Sequence, residues 1–382
     1  MRARSLVVVA CLVAQGCAAG PPQTSASASG SPSASGSPTG SESPPEPTSL
    51  TTPPPTETET PGDADVPVSA RWERVPGLPD DGVWERGLYD VSAASPDLAW
   101  AVGYKGWEDE VAMTLRHWDG SGWRKLPADY TGSLAAVDAD GPGNVWAVGG
   151  GSFDKPVALH WNGSSWRRHR SPMSTRDVAV DGARVVLMSS FQVMEGDGAR
   201  WTRKLGVSRP GSELRAVSAG GGHTWIAGTR MDRPMIWHGT AGGYREAELP
   251  EVPESGTLGA VWQNSPSDVW AVGATGERPL VMRWNGSSWQ RVALPADWRG
   301  NLTSVTAFGP DDVWIASLRT ETPPKHVALL HWDGRTWTRE RSPSPGEVTR
   351  AVIERIPGTS QLWLAASIVN GDSESIVLFR RR

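Results

Sequence analysis

One short motif recurs along this 382-residue chain and constrains its fold more than any other feature. It is the apolar run Leu98-Ala99-Trp100-Ala101-Val102-Gly103, repeated around Trp146, Trp225, Trp270, Trp314 and Trp363. A degenerate copy, Val185-Val186-Leu187-Met188, fills the one gap, with Leu187 expected in the Trp position. The period is about 44 residues, the spacing of stacked or radially arranged supersecondary units. Each anchor follows a short β-prone stretch of the form Leu-x-x-Val: Leu88/Val91, Leu134/Val137, Leu214/Val217, Leu258/Val261 and Leu302/Val305. Thr175/Val178 and Thr349/Val352 supply the two remaining copies.

A hairpin follows each anchor. It is clearest in His117-Trp118-Asp119-Gly120-Ser121-Gly122-Trp123, in the Asn-Gly-Ser-Ser copies at Trp161/Trp166 and Trp284/Trp289, and at Trp332/Trp337. Asn-Gly or Asp-Gly between β-prone runs predicts a two-residue type I′ turn. That register sets Trp161 opposite Ser164 and Trp166 opposite Leu159. Four short strands per unit, seven times over, predict an all-β, seven-bladed β-propeller. The last unit has only three strands. Its fourth is expected before the first unit, at Arg71-Trp72-Glu73-Arg74-Val75, so that the N-terminal strand completes the C-terminal blade and leaves no open edge. Of 21 Trp, 17 fall on repeat positions, so the excess is structural.

The region before the repeats reads as an address. Arg2 and Arg4 precede the apolar run Leu6–Ala14, which ends at Gln15-Gly16-Cys17. This run suits a secretory signal and is too short to span a bilayer. Gly16-Cys17 resembles the bacterial lipobox. The resemblance implies residues 1–17 as a lipoprotein-type signal with lipidation at Cys17; the alternative is ordinary cleavage near Ala18 and full secretion. Residues 18–68 hold twelve Pro and no aromatic residue, so they cannot bury enough apolar surface to fold and are expected as a disordered linker. Residues 69–382 are then the propeller, held at the outer face of the cytoplasmic membrane.

The two Cys, Cys11 and Cys17, precede the repeats, which excludes a disulfide framework, a Cys-ligated metal and a catalytic Cys in the folded part. Net charge is −5, of which −4 lies in residues 1–70, so the propeller is near neutral and lacks the footprint of a nucleic-acid binder. No cofactor motif and no metal-ligand spacing is present. His117, His160 and His331 repeat at one hairpin position, which points to packing.

The repeats Trp-Ala-Val-Gly and His-Trp-Asn-Gly-Ser-Ser-Trp resemble secreted actinobacterial β-propeller lipoproteins and, more distantly, kelch/galactose-oxidase-type and Asp-box (sialidase-like) propellers. The resemblance covers residues 71–382 and implies fold, not chemistry. A galactose-oxidase-like copper site would need a Cys that the repeats lack, and the Asp-box spacing is not met.

Four Trp do not repeat: Trp84, Trp107, Trp262 and Trp298. Loops joining strands two and three, and those joining consecutive blades, share one rim of a propeller. Trp84, Trp107 and Trp298 fall in such loops, and Tyr130 in Leu-Pro-Ala-Asp-Tyr matches Trp298 in Leu-Pro-Ala-Asp-Trp. Trp84, Trp107, Tyr130 and Trp298 are therefore the ligand-binding candidates, while Trp262 is expected in the core or lining the channel. The expected function is a monomeric, membrane-tethered scaffold for an envelope protein or glycan, with no evident catalysis. The alternative is a carbohydrate-active hydrolase or lyase on the same rim, which a cluster of channel carboxylates would favour.

Overall fold

A computed structural model describes residues 68–75, 85–106, 111–126, 132–150, 155–207, 210–252, 254–276, 278–319, 326–343, 346–370 and 373–382. They form seven four-stranded antiparallel sheets. The first strands of blades 1 to 7 are Glu85–Ser95, Leu134–Ala139, Asp177–Asp181, Ser212–Gly220, Gly256–Ser265, Asn301–Gly309 and Glu347–Arg355. In each sheet the order follows the chain, except that blade 7 takes its fourth strand, Trp72–Arg74, from the N-terminal side. Trp72 pairs with Arg381 and Arg74 with Phe379, and the Val75 N–H donates to the Leu378 carbonyl at 2.9 Å. The ring is closed as the sequence predicts.

The core lies between blades. Trp100 and Val102 of blade 1 pack on Val145 and Ala147 of blade 2, and equivalent clusters recur around the ring. Trp100, Trp225, Trp270 and Trp363 are fully buried. Trp363 meets Trp118 and Trp123 edge-on with ring centroids 5.2 Å apart, the geometry that opposes ring edge to ring face. The repeated histidines lie flat on these anchors, His331 on Trp314 at 4.1 Å and His160 on Trp146 at 4.7 Å. Their free ring nitrogens reach Asp312 (2.9 Å) and Asn144 (3.1 Å).

Three details differ from the sequence expectation. The hairpin at Trp161 is a four-residue loop, in which Trp161 pairs directly with Trp166 and Leu159 with Arg168. Asn162 keeps a negative φ, because its side chain does the turning: its Oδ1 accepts from the Ser164 and Ser165 N–H groups at 3.1 and 3.0 Å. Both Trp still share one face. In blade 3, Val186, not Leu187, stands in the Trp position, since Val186 pairs with Ala179 and packs toward blade 4 with Met188. In blade 7 the register of the first strand differs. Val348 replaces Thr349 as the buried leading residue, and Ile353, not Val352, makes the backbone contact to blade 6 that Val137 makes to blade 1. Thr349 is exposed.

Candidate functional site

The seven first strands converge on an axial channel of about 530 Å³. Glu85 pairs with Lys105, so each first strand begins at the face that carries the strand 2–3 loops and the inter-blade loops. The channel mouth on that face is built by Tyr89, Arg176, Arg215 and Arg350. Tyr89 stacks on Tyr104 with centroids 5.4 Å apart, and the Arg350 guanidinium lies 4.7 Å from its ring. Burial raises the Tyr89 phenol above its ordinary value, so it is a neutral hydroxyl at any ordinary pH. Arg176 and Arg215 both pair with Glu213, at 2.5 and 2.7 Å.

Five carboxyls line the channel, and four of them, Asp90, Asp138, Asp177 and Glu354, lie deeper in, while Asp140 is exposed. Each aspartate stitches two blades together. Asp90 accepts the Val91 and Val137 N–H groups at 2.9 Å each. Asp138 accepts from Ala139 (2.9 Å) and Val180 (2.7 Å), and Asp177 from Val178 and Val217 (both 2.8 Å). Hydroxyls do the same elsewhere: Ser92 to Ala139, Ser218 to Gln263, Ser304 to Ile353 and Thr306 to Arg355. Two polar side chains on successive same-face positions of one first strand therefore clamp backbone amides of the next.

Removal from bulk water raises the four deeper carboxyls. Asp138 is pushed up to about 6 and Asp177 to about 7, burial outweighing the amide hydrogen bonds that stabilise the anions. Asp90 and Glu354 are held well above the usual carboxylate range by burial, Asp90 with repulsion from Asp177 added. Glu354 differs from the other three. It accepts no hydrogen bond among the described residues, and its nearest cation is Arg355, whose guanidinium lies 5.4 Å from the Trp262 ring. Trp262 thus lines the channel, as its place in a first strand suggests.

Of the four candidate rings, Trp84, Trp107 and Tyr130 lie outside the described residues. Trp298 is 1% exposed and wedged between blades 5 and 6 against Trp270, Val272 and Leu302, with the Arg339 guanidinium 5.7 Å from its ring. Its ring is packing and presents no face to solvent. In the sequence the channel residues are unremarkable neighbours of Leu-x-x-Val. The available signal was Asp, Ser or Thr beside that Val in most copies. Among the described residues no group of three or more His, Cys, Asp or Glu could hold a metal ion.

No protein-family profile matches this chain, and no curated protein matches it in sequence. Among solved structures it is similar to YCF48 bound to D1 peptide, with 16% identity, a TM-score of 0.56, and coverage of 82% of this chain and 97% of that one. U3-55K is similar at 13% identity and a TM-score of 0.57, over 83% of this chain and 100% of that one. The Niastella koreensis GH74 enzyme is similar at 12% identity and a TM-score of 0.56, over 80% of this chain and 55% of that one. At such identities the likeness establishes the β-propeller fold, which serves both binding proteins and an enzyme.

Proposed function

We propose that this protein is an interaction scaffold of the cell envelope, a propeller that binds a protein segment or a glycan at the mouth of its channel. Three of the four deeper channel carboxyls have both oxygens engaged by backbone amides of adjoining blades, which is the observation that carries this reading over a hydrolytic one. Groups so committed serve as clamps between neighbouring blades. The arginines and Tyr89 at the mouth offer hydrogen-bond donors and an aromatic face, the means by which a binding surface takes up carboxylates or sugars. The likeness to YCF48 bound to D1 peptide supports a propeller face as a peptide receiver.

The charged, apolar and Gly16-Cys17 pattern at the N-terminus supports export and a lipid anchor at Cys17, with residues 18–68 as the tether. Metabolic labelling with a palmitate analogue tests the anchor: label is expected on the wild type and absent from Cys17→Ala. A photo-crosslinking amino acid at Tyr89 tests the scaffold. Discrete adducts are expected from intact envelopes at Tyr89 and not from a control position at Arg200, on the opposite face. Equal adducts at both positions would remove the mouth as the binding site.

Two observations favour the hydrolase or lyase reading: carboxyls do cluster in the channel, as that reading asks, and one of them takes no part in the clamps between blades. Glu354 is a channel carboxyl with a raised pKa and no amide partner, the environment a general acid requires. Release of reducing sugar from cell-wall glycans, abolished by Glu354→Gln, would establish that reading in place of the scaffold.

A further inference from the structure

Three large hydrophobic side chains stand exposed among the described residues: Val68, Phe191 and Met231. Phe191 (60% exposed) and Met231 (66%) occupy the strand 2–3 turns of consecutive blades 3 and 4, so both project from the face that carries the arginine mouth. The two turns are tied to the strand Ser212–Gly220 and to the turn just before it. The Leu214 N–H donates to the Ser190 carbonyl beside Phe191 at 2.8 Å, and the Met231 N–H to the Gly211 carbonyl at 3.0 Å. Those two anchor points, Gly211 in the turn that leads into Ser212–Gly220 and Leu214 within it, are three residues apart and so at most about 11 Å from each other.

Met231 is held there at a cost. The turn between His223–Arg230 and Arg233–Thr240 has two residues, Met231 at φ +48° and Asp232 at φ +59°. They are the non-glycine residues with positive φ among those described. A type I′ turn ordinarily takes Asn-Gly, and a long unbranched apolar side chain gains nothing locally from the left-handed conformation. Backbone strain kept at one position is a mark of function at that position. Beside Met231 lies a cavity of about 320 Å³ walled by Pro234, Met235, Ala247 and Leu249, with Arg230, Arg233 and Glu246 completing its lining.

Charge sits between the apolar elements and the channel. Arg176 bonds Glu213 and reaches Ser190 Oγ at 3.4 Å, next to Phe191. Arg215 bonds the other Glu213 oxygen, and its Nε is buried without a partner. Two guanidinium groups share one carboxylate, which leaves an excess positive charge between Phe191 and the channel.

We propose that this blade 3–blade 4 surface binds a short extended segment of a partner protein in which an acidic residue is flanked by aliphatic or aromatic side chains. The partner carboxylate pairs with Arg215 and Arg176. One apolar side chain packs on Phe191, and the other enters the cavity beside Met231. A bare anion would leave the two apolar side chains in water, and a purely apolar segment would leave the extra cation unmatched. The proposal rests on the scaffold reading and specifies its surface and partner chemistry.

The test is to pan phage-displayed random 12-residue peptides on the full-length protein and to titrate the enriched peptides, fluorescein-labelled, by anisotropy. Enriched sequences are expected to combine Asp or Glu with Phe, Leu, Ile or Met. Affinity is expected to fall at least about tenfold in Phe191→Ser/Met231→Gly and again in Arg215→Gln, hot-spot losses of the usual size. Glycine suits the Met231 backbone, so the double variant keeps the turn, and an unchanged melting temperature verifies it. Enriched peptides that lack an acid, or that bind the double variant as tightly as the wild type, overturn this surface while leaving the scaffold reading intact. Enrichment of no peptide also overturns this surface, and the crosslinking at Tyr89 then decides the scaffold reading separately. Sedimentation that shows a dimer dissolved by the double variant would assign the surface to a second copy and overturn the partner segment.

Discussion

Replacing Asp177 with Asn should reverse the sign of its stability effect between acid and mildly alkaline pH. In the wild type, burial raises this carboxyl from 3.8 to about 7. A group whose folded pKa is raised binds its proton more tightly in the native state. Its contribution is therefore complete below the unfolded pKa, near 4, and is lost as pH rises through 7. At about 1.4 kcal/mol per pK unit the loss amounts to ~4 kcal/mol by pH 8, a ceiling because the channel side of the carboxyl is wetted. The Asn amide can accept only one of the two amides, from Val178 and Val217, that Asp177 accepts. The other N–H then faces an NH₂ group, whereas the hydroxyl oxygen of the protonated acid still accepts with its lone pair, so the exchange costs ~1–3 kcal/mol even where Asp177 is neutral.

The two effects cross. At pH 4 the variant should be the less stable protein by ~1–3 kcal/mol, and at pH 8 equal or more stable, with parity near pH 6. Equilibrium urea unfolding at half-unit intervals from pH 4 to 8 reads this directly. The difference between variant and wild type is the quantity to compare. Burial lowers His117, His160 and His238 below their ordinary range, and these contribute a slope of opposite sign near pH 6 that is common to both proteins. A variant destabilised by the same amount at all pH values would show that Asp177 is ionised with an ordinary pKa, and the account of the channel acids would fail.

Other outcomes follow from the same contacts. Asp138→Asn should show the same crossing with a smaller span, ~3 kcal/mol, because Asp138 is raised only to about 6. Ser304→Ala removes the hydroxyl that both accepts from the Ile353 N–H and donates to the Ile353 carbonyl, each at 3.2 Å. A loss of ~1–3 kcal/mol, independent of pH, is expected in urea unfolding. Trp270→Ala empties a fully buried site between blades 5 and 6 and should cost ~3–5 kcal/mol. Trp72→Ala weakens the strand that closes the ring, exposing the edge of Ser373–Arg381. Concentration-dependent association by light scattering is the expected readout.

What could be read from the sequence and what could not divide along a physical line. Contacts within one blade are local, and their side chains alternate, so strand identity, blade number and closure by Trp72–Arg74 followed from periodicity. The first-strand register of blade 7 did not, because Val348-Thr349 and Val352-Ile353 offer two equally apolar frames, and only the bond from Ile353 to Ser304 of another blade selects one. The hairpins failed for a related reason. Asn162 and Asp119 can turn a chain either through positive φ or through their side chains, and the pairing of the flanking Trp decides which. The candidate site was hardest. Asp90, Asp138 and Asp177 are some 40 residues apart and meet only because every first strand faces one axis. Trp298 is non-repeating, yet it fills a gap between blades. Phe191 and Met231 looked ordinary in sequence, and it is their exposure, together with the left-handed backbone beneath Met231, that sets them apart. Aromatic surplus in a repeat protein therefore reports on packing, and binding has to be sought where the fold leaves apolar or charged groups without an internal use.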